Sequence, residues 1–180
     1  MPSLGHVAVG LAAGRFHTAG GGPRLRATAV FTALAVWPDL DFKARALGAA
    51  AGSPWLHRGA SHSLLAAAAA ALVATALAGG MGQPRVRTFL TALAAAASHG
   101  LLDALTRGAA GPMLLWPFTD ARFLAPLALV PASPFLPRLL SARGLSVLLR
   151  EALVFLPLLA YGLWPRRRPA LSAPDAGSPG

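Results

Sequence analysis

The chain has 180 residues, of which 55% are hydrophobic and only 12% charged, and it contains no cysteine. The lack of cysteine excludes disulfide bonds and thiolate metal sites, so any metal ion must be held by nitrogen and oxygen ligands. A mean hydropathy of +0.56 and a net charge of +10 are typical of a membrane protein with arginine-rich loops. A nucleic-acid-binding protein fits less well, because the basic residues are scattered and lack interleaved aromatic residues.

The first half of the chain alternates short apolar segments with loops. Apolar segments at 3–14 and 25–37 are predicted to be helical and are separated by a glycine-rich loop at 15–24. Pro38 ends the second segment, and glycine and proline mark 42–56 as a loop. Because a helix needs about 20 apolar residues to cross a bilayer, these two segments could be tilted, re-entrant or packed inside a bundle.

The second half contains the longer apolar segments, at 63–80, 88–106 and 145–164, and these are long enough to span. Residues 107–143 are rich in glycine and proline and are predicted to form a loop with one or two short helices. Within the last segment, Arg150 and Glu151 are expected to have a structural role first, facing the interior of the bundle.

These segments predict an all-α fold, namely a multi-pass transmembrane bundle of about four to five membrane-embedded helices. A single membrane-embedded domain is expected over 1–165, followed by a basic and then disordered tail at 166–180. The positive charges are too evenly divided between the two sides to determine the orientation.

Rare polar residues recur at the ends of four separate segments. If five segments cross in turn, all of these residues arrive at one membrane face, where we expect a polar metal site. They are His6, Asp39, Asp41, His57, His62, His99 and Asp103.

Residue spacing supports a shared metal site. His99 and Asp103 in "HGLLD" are four residues apart and therefore lie on one helical face. "PDLD" brings two carboxylates together only in a loop or turn, and "HRGASHS" supplies two histidines across a glycine turn. A set of histidine nitrogens and aspartate oxygens suits Zn²⁺, with Mn²⁺ and Fe²⁺ as alternatives.

Each signal also has a structural interpretation. His6 alone is more often a packed, hydrogen-bonded histidine, and the "PDLD" carboxylates could cap a helix. His99 and Asp103 could form an internal pair, and Arg58 could either pair with the carboxylates or bind a substrate anion. His17 falls in the predicted glycine-rich loop, and we leave it out of the site. The joint occurrence of the other residues favours metal binding.

Taken in order, His6, "PDLD", "HRGASHS", "HGLLD" and "WPFTDARF" resemble the YdjM-type family of bacterial inner-membrane, metal-dependent hydrolases, also described as LexA-binding, inner-membrane-associated hydrolases. The resemblance covers residues 3 to about 126. Ser61 stands where threonine is commoner, which keeps the hydroxyl group. The motif pattern is similar to zinc-dependent phospholipase C and P1-type nuclease sites, which implies phosphoester substrates by analogy.

The resemblance also implies roles for individual residues. The seven histidines and aspartates named above would be metal ligands or their nearest neighbours. Arg58 and Arg122 would bind an anionic substrate or brace the carboxylates, while Trp116 and Phe118 would wall the site near the lipid interface. The candidate catalytic residues are Asp39, Asp41, Arg58 and Asp103, and the candidate substrate-binding residues are Arg58, Arg122 and Trp116.

The sequence therefore predicts a multi-pass protein of the bacterial inner membrane that hydrolyses a phosphoester or lipid-associated ester through metal-activated water. Membrane lipid and a lipid or phosphoester substrate are the expected partners, and no nucleic acid is expected. The alternative is a non-enzymatic membrane protein, regulatory or partner-binding, whose polar cluster is structural. A metal transporter ranks last, because few polar residues lie deep in the predicted spans. The oligomeric state stays open.

Overall fold

The computed structural model describes residues 3–134 and 136–165, and the described chain is mainly helical, as predicted. The helices are α1 (Ser3–His17), α2 (Arg24–Val36), α3 (Leu64–Ala78), α4 (Arg85–Ala104), α5 (Leu136–Leu139), α6 (Ala142–Val154) and α7 (Leu156–Leu163). Two 3-10 helices, Trp37–Lys43 and Ala60–His62, lie between α2 and α3. The tail predicted at 166–180 lies outside the described residues.

Helices α1 and α2 pack closely because glycines face the contact. A Cβ atom placed on Gly10 would lie 2.3 Å from the Cα of Thr32, and one on Gly14 would lie 2.5 Å from the Cα of Thr28. Gly10 and Gly14 are four residues apart in "GLAAG", the spacing that lets two helix backbones approach closely in membrane proteins. This contact places the first turn of α1, with His6, beside the end of α2.

The apolar core lies where α2, α3 and α4 meet, and small side chains dominate it. Phe31 of α2 is fully buried and packs with alanines of α3 and α4, including Ala71 and Ala92. Because alanine takes up little space, these helices can approach closely. The polar residues of α4, His99 and Asp103, follow the alanines toward the end of the helix and are fully buried.

The predicted span at 145–164 is divided into two helices. Helices α6 and α7 meet at Phe155, and their axes differ in direction by 68°. Pro157 lies in the first turn of α7 and has no N–H to continue the hydrogen-bond ladder from α6, which accounts for the break. Glu151 has the structural role expected of it, since its side chain accepts a hydrogen bond of 2.9 Å from the N–H of Leu4 and so caps α1.

Among the described residues, no single helix is both long enough and apolar enough to cross a bilayer. The bent pair α6 and α7 meets that requirement only when its two members are taken together. Helix α4 has 20 residues but carries Arg85, Arg87, His99 and Asp103, and the apolar α3 has 15 residues.

The region predicted as a loop at 107–143 contains α5 and the start of α6. It is tied back to the end of α4 by a short parallel pairing of β1 (Thr106–Arg107) with β2 (Val130–Pro131). This pairing holds the loop beside the buried polar end of α4.

Candidate metal centre

Four separate pieces of the chain bring their polar side chains to one buried place. His6 comes from α1, Asp39 from the 3-10 helix after α2, His62 from the second 3-10 helix, and His99 and Asp103 from α4. Pro38, which has no N–H, lies in the first turn of the first 3-10 helix, and this helix turns Asp39 inward at the end of α2.

The loop that carries the second 3-10 helix depends on two unusual backbone positions. Arg58 has a φ of 65°, in the left-handed region that is rare for residues with a side chain. A Cβ atom on the next residue, Gly59, would lie 1.9 Å from the carbonyl oxygen of Pro54, so only glycine fits. This tight turn directs His62 toward α4.

Asp39, His62, His99 and Asp103 each offer one ligating atom, and these four atoms lie within 4.8 Å of one another. The Nε2 atoms of His62 and His99 are 3.1 Å apart. Asp39 Oδ1 lies 3.4 Å from His99 Nε2, and Asp103 Oδ2 lies 3.4 Å from His62 Nε2. Two nitrogen and two oxygen ligands converging in this way match the donor set of a Zn²⁺, Mn²⁺ or Fe²⁺ site.

Hydrogen bonds determine which nitrogen of each ring points into the cluster. His99 Nδ1 lies 2.7 Å from the carbonyl oxygen of Ala35, which can only accept, so Nδ1 carries the hydrogen and Nε2 carries the lone pair. His62 Nδ1 lies 3.1 Å from Asp41 Oδ2, which favours the same arrangement in that ring. A proton or a metal cation must lie between the facing Nε2 atoms, because two lone pairs at this distance repel each other. Metal-ligating histidines in proteins are oriented in the same way by a carboxylate or a backbone carbonyl.

Several buried polar atoms in the cluster make no hydrogen bond to any described residue. Asp39 Oδ1 is one, although imidazole nitrogens of His57, His62 and His99 lie within 4.0 Å of it. His6 Nε2 is another, at 3.8 Å from Asp103 Oδ1, while the His6 ring stacks on His99 with centroids 3.7 Å apart. Since buried polar atoms normally have partners, these orphaned atoms fit a bound cation.

A second group, formed by Asp41, His57 and His62, adjoins the first and shares His62 with it. Asp41 accepts hydrogen bonds from the Ser61 hydroxyl at 2.5 Å and from the Arg58 N–H at 3.2 Å, and its other oxygen lies 2.6 Å from His57 Nδ1. With both oxygens engaged, Asp41 is well placed to orient the two histidines. The structure thus brings Asp41 and His57 to the site, and their role as ligands stays a prediction.

The charged groups of the cluster shift one another's pKa values. Burial raises the pKa of Asp39, but the adjacent His62 and His99 outweigh burial and hold it well below its ordinary value. Burial likewise raises the pKa of Asp41, and contacts with His57 and His62 reverse the direction. For His62, burial lowers the pKa, but contacts with Asp103, Asp39 and Asp41 prevail and raise it to about 10. The metal-free cluster therefore holds a proton at His62 at neutral pH.

Arg58 is buried and directs its guanidinium group at protein atoms. Its Nε lies 2.9 Å from Asp103 Oδ2, and its other nitrogens donate to the carbonyl oxygen of Ala110 and the hydroxyl group of Thr106, each at 2.8 Å. These contacts support the bracing role that was one of its two predicted roles. Its catalytic and substrate-binding roles stay predictions.

The remaining candidates lie near the loop that follows α4. Arg122 donates to the carbonyl oxygens of Gly111 and Arg58, at 2.9 and 3.3 Å, and so links this loop to the "HRGASHS" segment. The half-buried Trp116 packs edge-on against Trp55, with ring centroids 5.6 Å apart, and Phe118 is 86% exposed. The structure records no contact between Trp116 and the ligand group among the described residues.

His17 was predicted to lie in a loop, but it is the last residue of α1, and it lies apart from the cluster. It is 11 residues from His6 on the same helix, a separation of about 16 Å along the axis. Its Nε2 lies 3.2 Å from the carbonyl oxygen of Gly80. Sequence reasoning missed the parts played by Ala35 and Thr106, since a backbone carbonyl and a single threonine leave no recognisable signal in a sequence.

Comparisons with known proteins agree with the resemblance seen in the motifs. The family model described as YdjM inner membrane protein matches residues 1–169. The inner membrane protein YbcI of Escherichia coli (strain K12) is 36% identical over 140 residues, which cover 75% of this chain and 81% of the relative. No solved structure matches.

The matched region contains every residue of the candidate metal centre, from His6 to Asp103. Both descriptions name inner membrane proteins, and the predicted location of the chain in the bacterial inner membrane is thereby confirmed. The chain belongs to the YdjM inner membrane protein family.

Proposed function

We propose that this protein is a membrane-embedded, metal-dependent hydrolase that acts on a phosphoester or a lipid-associated ester. The observation that carries the proposal is the convergence of four ligating atoms, from Asp39, His62, His99 and Asp103, within 4.8 Å. Zn²⁺ is the metal we propose first, because the ligands are two imidazoles and two carboxylates.

The distribution of side chains supports an embedded, multi-pass arrangement. Leucines on the outer face of α3 are exposed, with Leu72 at 59% and Leu77 at 81%, whereas His6, His99 and Asp103 inside the bundle are fully buried. Ionisable residues within membrane segments normally face the bundle interior in this way. Lipid would cover the exposed leucines. The short helices would either cross a locally thinned bilayer, with some tilt, or insert into it only partly.

A divalent cation in this place would lower the pKa of a coordinated water and stabilise negative charge that develops on the substrate. The chain's own residues would do the rest. Asp39, His62, His99 and Asp103 would hold the ion, and Asp41 would keep His62 in the correct tautomer. Arg58 would hold Asp103 in position through the 2.9 Å contact between Nε and Oδ2.

Metal content is the first test. The full chain would be purified in detergent and its metal measured by mass spectrometry, together with His62→Ala and His99→Ala. We expect bound metal in the wild type and a large loss, tenfold or more in affinity, in both variants, because each removes one of four ligands. His17→Ala is the matched control, since His17 is a fully buried histidine outside the cluster.

Hydrolysis is the second test, with phosphomonoester, phosphodiester and carboxylic ester substrates presented both free and in lipid vesicles. Activity should require the metal and disappear on chelation. If His62→Ala and His99→Ala keep normal metal content, the assignment of the centre fails. If metal is bound but no ester is hydrolysed, the enzymatic part of the proposal fails.

A structural cluster without catalysis is the second candidate. It is favoured by the direct contacts of His57 with Asp41 and of Arg58 with Asp103, which tie three segments of the chain together. Under this alternative the alanine variants lose stability, no metal co-purifies with the wild type, and a regulatory or partner-binding role follows. Metal content therefore separates the two candidates.

A further inference from the structure

A polar cavity of about 300 Å³ lies next to the metal centre, between the loop after β2 and the start of α6. Its lining includes three arginines and a histidine, and none of the described residues that line it is acidic. This volume is at the lower end of the range for small-molecule sites, about 300–1,000 Å³. The space is therefore suited to a compact anionic group.

Two of the three arginines have charges that no carboxylate of the described chain neutralises. The structure records no ion pair between the side chains of Arg138 or Arg143 and any described acidic residue, and both residues are exposed at the cavity. Arg58, in contrast, is paired with Asp103. Unpaired guanidinium groups with parallel donors are the preferred partners of phosphate in proteins.

One hydroxyl group adds hydrogen-bonding capacity to the same cavity. Ser133 lines it, and the buried hydroxyl of Ser133 makes no hydrogen bond with a described residue. Ser141, the N-cap residue of α6, also lines it, but its hydroxyl already donates to the carbonyl oxygen of Arg138 and accepts from the N–H of Gly144. An oxyanion entering the cavity would meet guanidinium groups and a hydroxyl without meeting an acidic side chain.

His57 connects the cavity to the metal centre. It lines the cavity, and its Nδ1 lies 2.6 Å from Asp41, the residue that orients the ligand His62. A group bound between the arginines would thus lie on the His57 side of the candidate metal centre.

We propose that this cavity binds the phosphate group of the substrate, and that Arg138 and Arg143 are the residues that hold it. The proposal rests on the hydrolase proposed above and narrows its substrates to phosphoesters. Phosphoesters are preferred over carboxylic esters because an uncharged ester offers no counter-charge to the two guanidinium groups.

The test measures binding of inorganic phosphate by titration calorimetry, with the full chain in a detergent that contains no phosphate. Arg138→Gln and Arg143→Gln should each weaken binding by about tenfold, because each removes a charge-assisted contact. Arg45→Gln is the matched control, since it removes the same charge from an exposed loop and should leave the affinity unchanged. Metal content should be equal in all four proteins.

The proposal falls if the wild type does not bind phosphate, or if both arginine variants bind it like the wild type. Repeating the titration on chelator-treated protein separates this proposal from the hydrolase. If phosphate binding depends on the arginines but no metal is bound, the assignment of the cavity stands and the hydrolase proposal fails. If metal is bound but phosphate binding does not depend on the arginines, the hydrolase proposal stands and the assignment of the cavity fails.

The source of the phosphate is distinguished by competition. Glycerol 3-phosphate and a short-chain phosphatidic acid carry the same phosphomonoester, and each would be titrated against bound phosphate. Tenfold tighter binding of the lipid indicates a membrane substrate, and equal binding indicates a soluble one. Failure of both to compete overturns the assignment of this cavity to phosphoesters.

Discussion

His62 is the residue on which both ligand groups depend. One ring nitrogen lies 3.1 Å from Asp41 and the other lies 3.1 Å from Nε2 of His99. His99 in turn is held by the carbonyl oxygen of Ala35. Through this chain of contacts the carboxylate of Asp41 and a backbone carbonyl orient the two imidazoles toward one point, the arrangement that raises ligand basicity at metal sites.

The protonation of His62 predicts how metal affinity depends on pH. In the metal-free protein its pKa is raised to about 10, so the ring is charged at neutral pH and must lose a proton to bind a cation. Affinity should therefore rise by about tenfold per pH unit up to about pH 10. Calorimetry in two buffers of different ionisation enthalpy should show about one proton released per ion at pH 7.

In the absence of metal, the stability of the fold should change with pH in the opposite direction to metal affinity and fall as the pH rises. Because the pKa of His62 is raised from 6.5 in folding, its contribution is complete below pH 6.5 and is lost as the pH rises through about 10. Metal-free protein should thus become less stable in alkali, and bound metal should remove this loss. An affinity that does not change between pH 6 and pH 9 would contradict the assignment of His62 as a ligand.

At the scale of elements, the contact between α1 and α2 is what brings His6 to the centre. Gly10→Ala places a methyl group 2.3 Å from the Cα of Thr32, and a helix backbone cannot move away as a flexible side chain can. We expect a loss of about 1–3 kcal/mol from this overpacking. For a chain of this length each kcal/mol lowers Tm by about 2–4 °C.

Thermal unfolding in detergent measures the effect of Gly10→Ala. The control is Gly20→Ala, where the added methyl group would lie 3.5 Å from Gln83, an ordinary contact distance. Metal affinity should fall in Gly10→Ala as well, since α1 carries His6. Equal stability of the two variants would show that α1 and α2 do not pack as described.

At the scale of the whole molecule, the prediction concerns which surfaces lipid covers. The chain has no cysteine, so single cysteines can report exposure to a water-soluble maleimide in intact membranes. Leu72→Cys and Leu77→Cys on the outer face of α3 should stay unlabelled, because lipid would cover these exposed positions. Arg45→Cys, in the loop between Asp41 and His57, should react.

The same experiment determines on which side of the membrane the centre lies. Labelling of Arg45→Cys in spheroplasts would indicate the periplasmic face, and labelling restricted to inverted vesicles would indicate the cytoplasmic face. If Leu77→Cys reacts as fast as Arg45→Cys, α3 is not embedded and the multi-pass proposal fails.

Sequence patterns were sufficient for the local features of this protein. The apolar runs located α1 to α4 to within a few residues, because hydrophobic runs and proline or glycine breaks act locally. The spacing of His99 and Asp103 predicted a shared helical face, and the chained motifs identified the family. The division of 145–164 at Phe155 was missed, although Pro157 was its visible signal.

The sequence by itself determined which residue types are available to bind a cation, because the lack of cysteine leaves histidine and aspartate as the strong ligands. Only the tertiary structure decided which of them meet. Asp39 and Asp41 are two residues apart, yet one faces the ligand group and the other orients His57 and His62, since two-thirds of a turn of 3-10 helix separates their directions. The arginine-lined cavity likewise arises from segments some 80 residues apart in the chain, and no local pattern encodes such a distance.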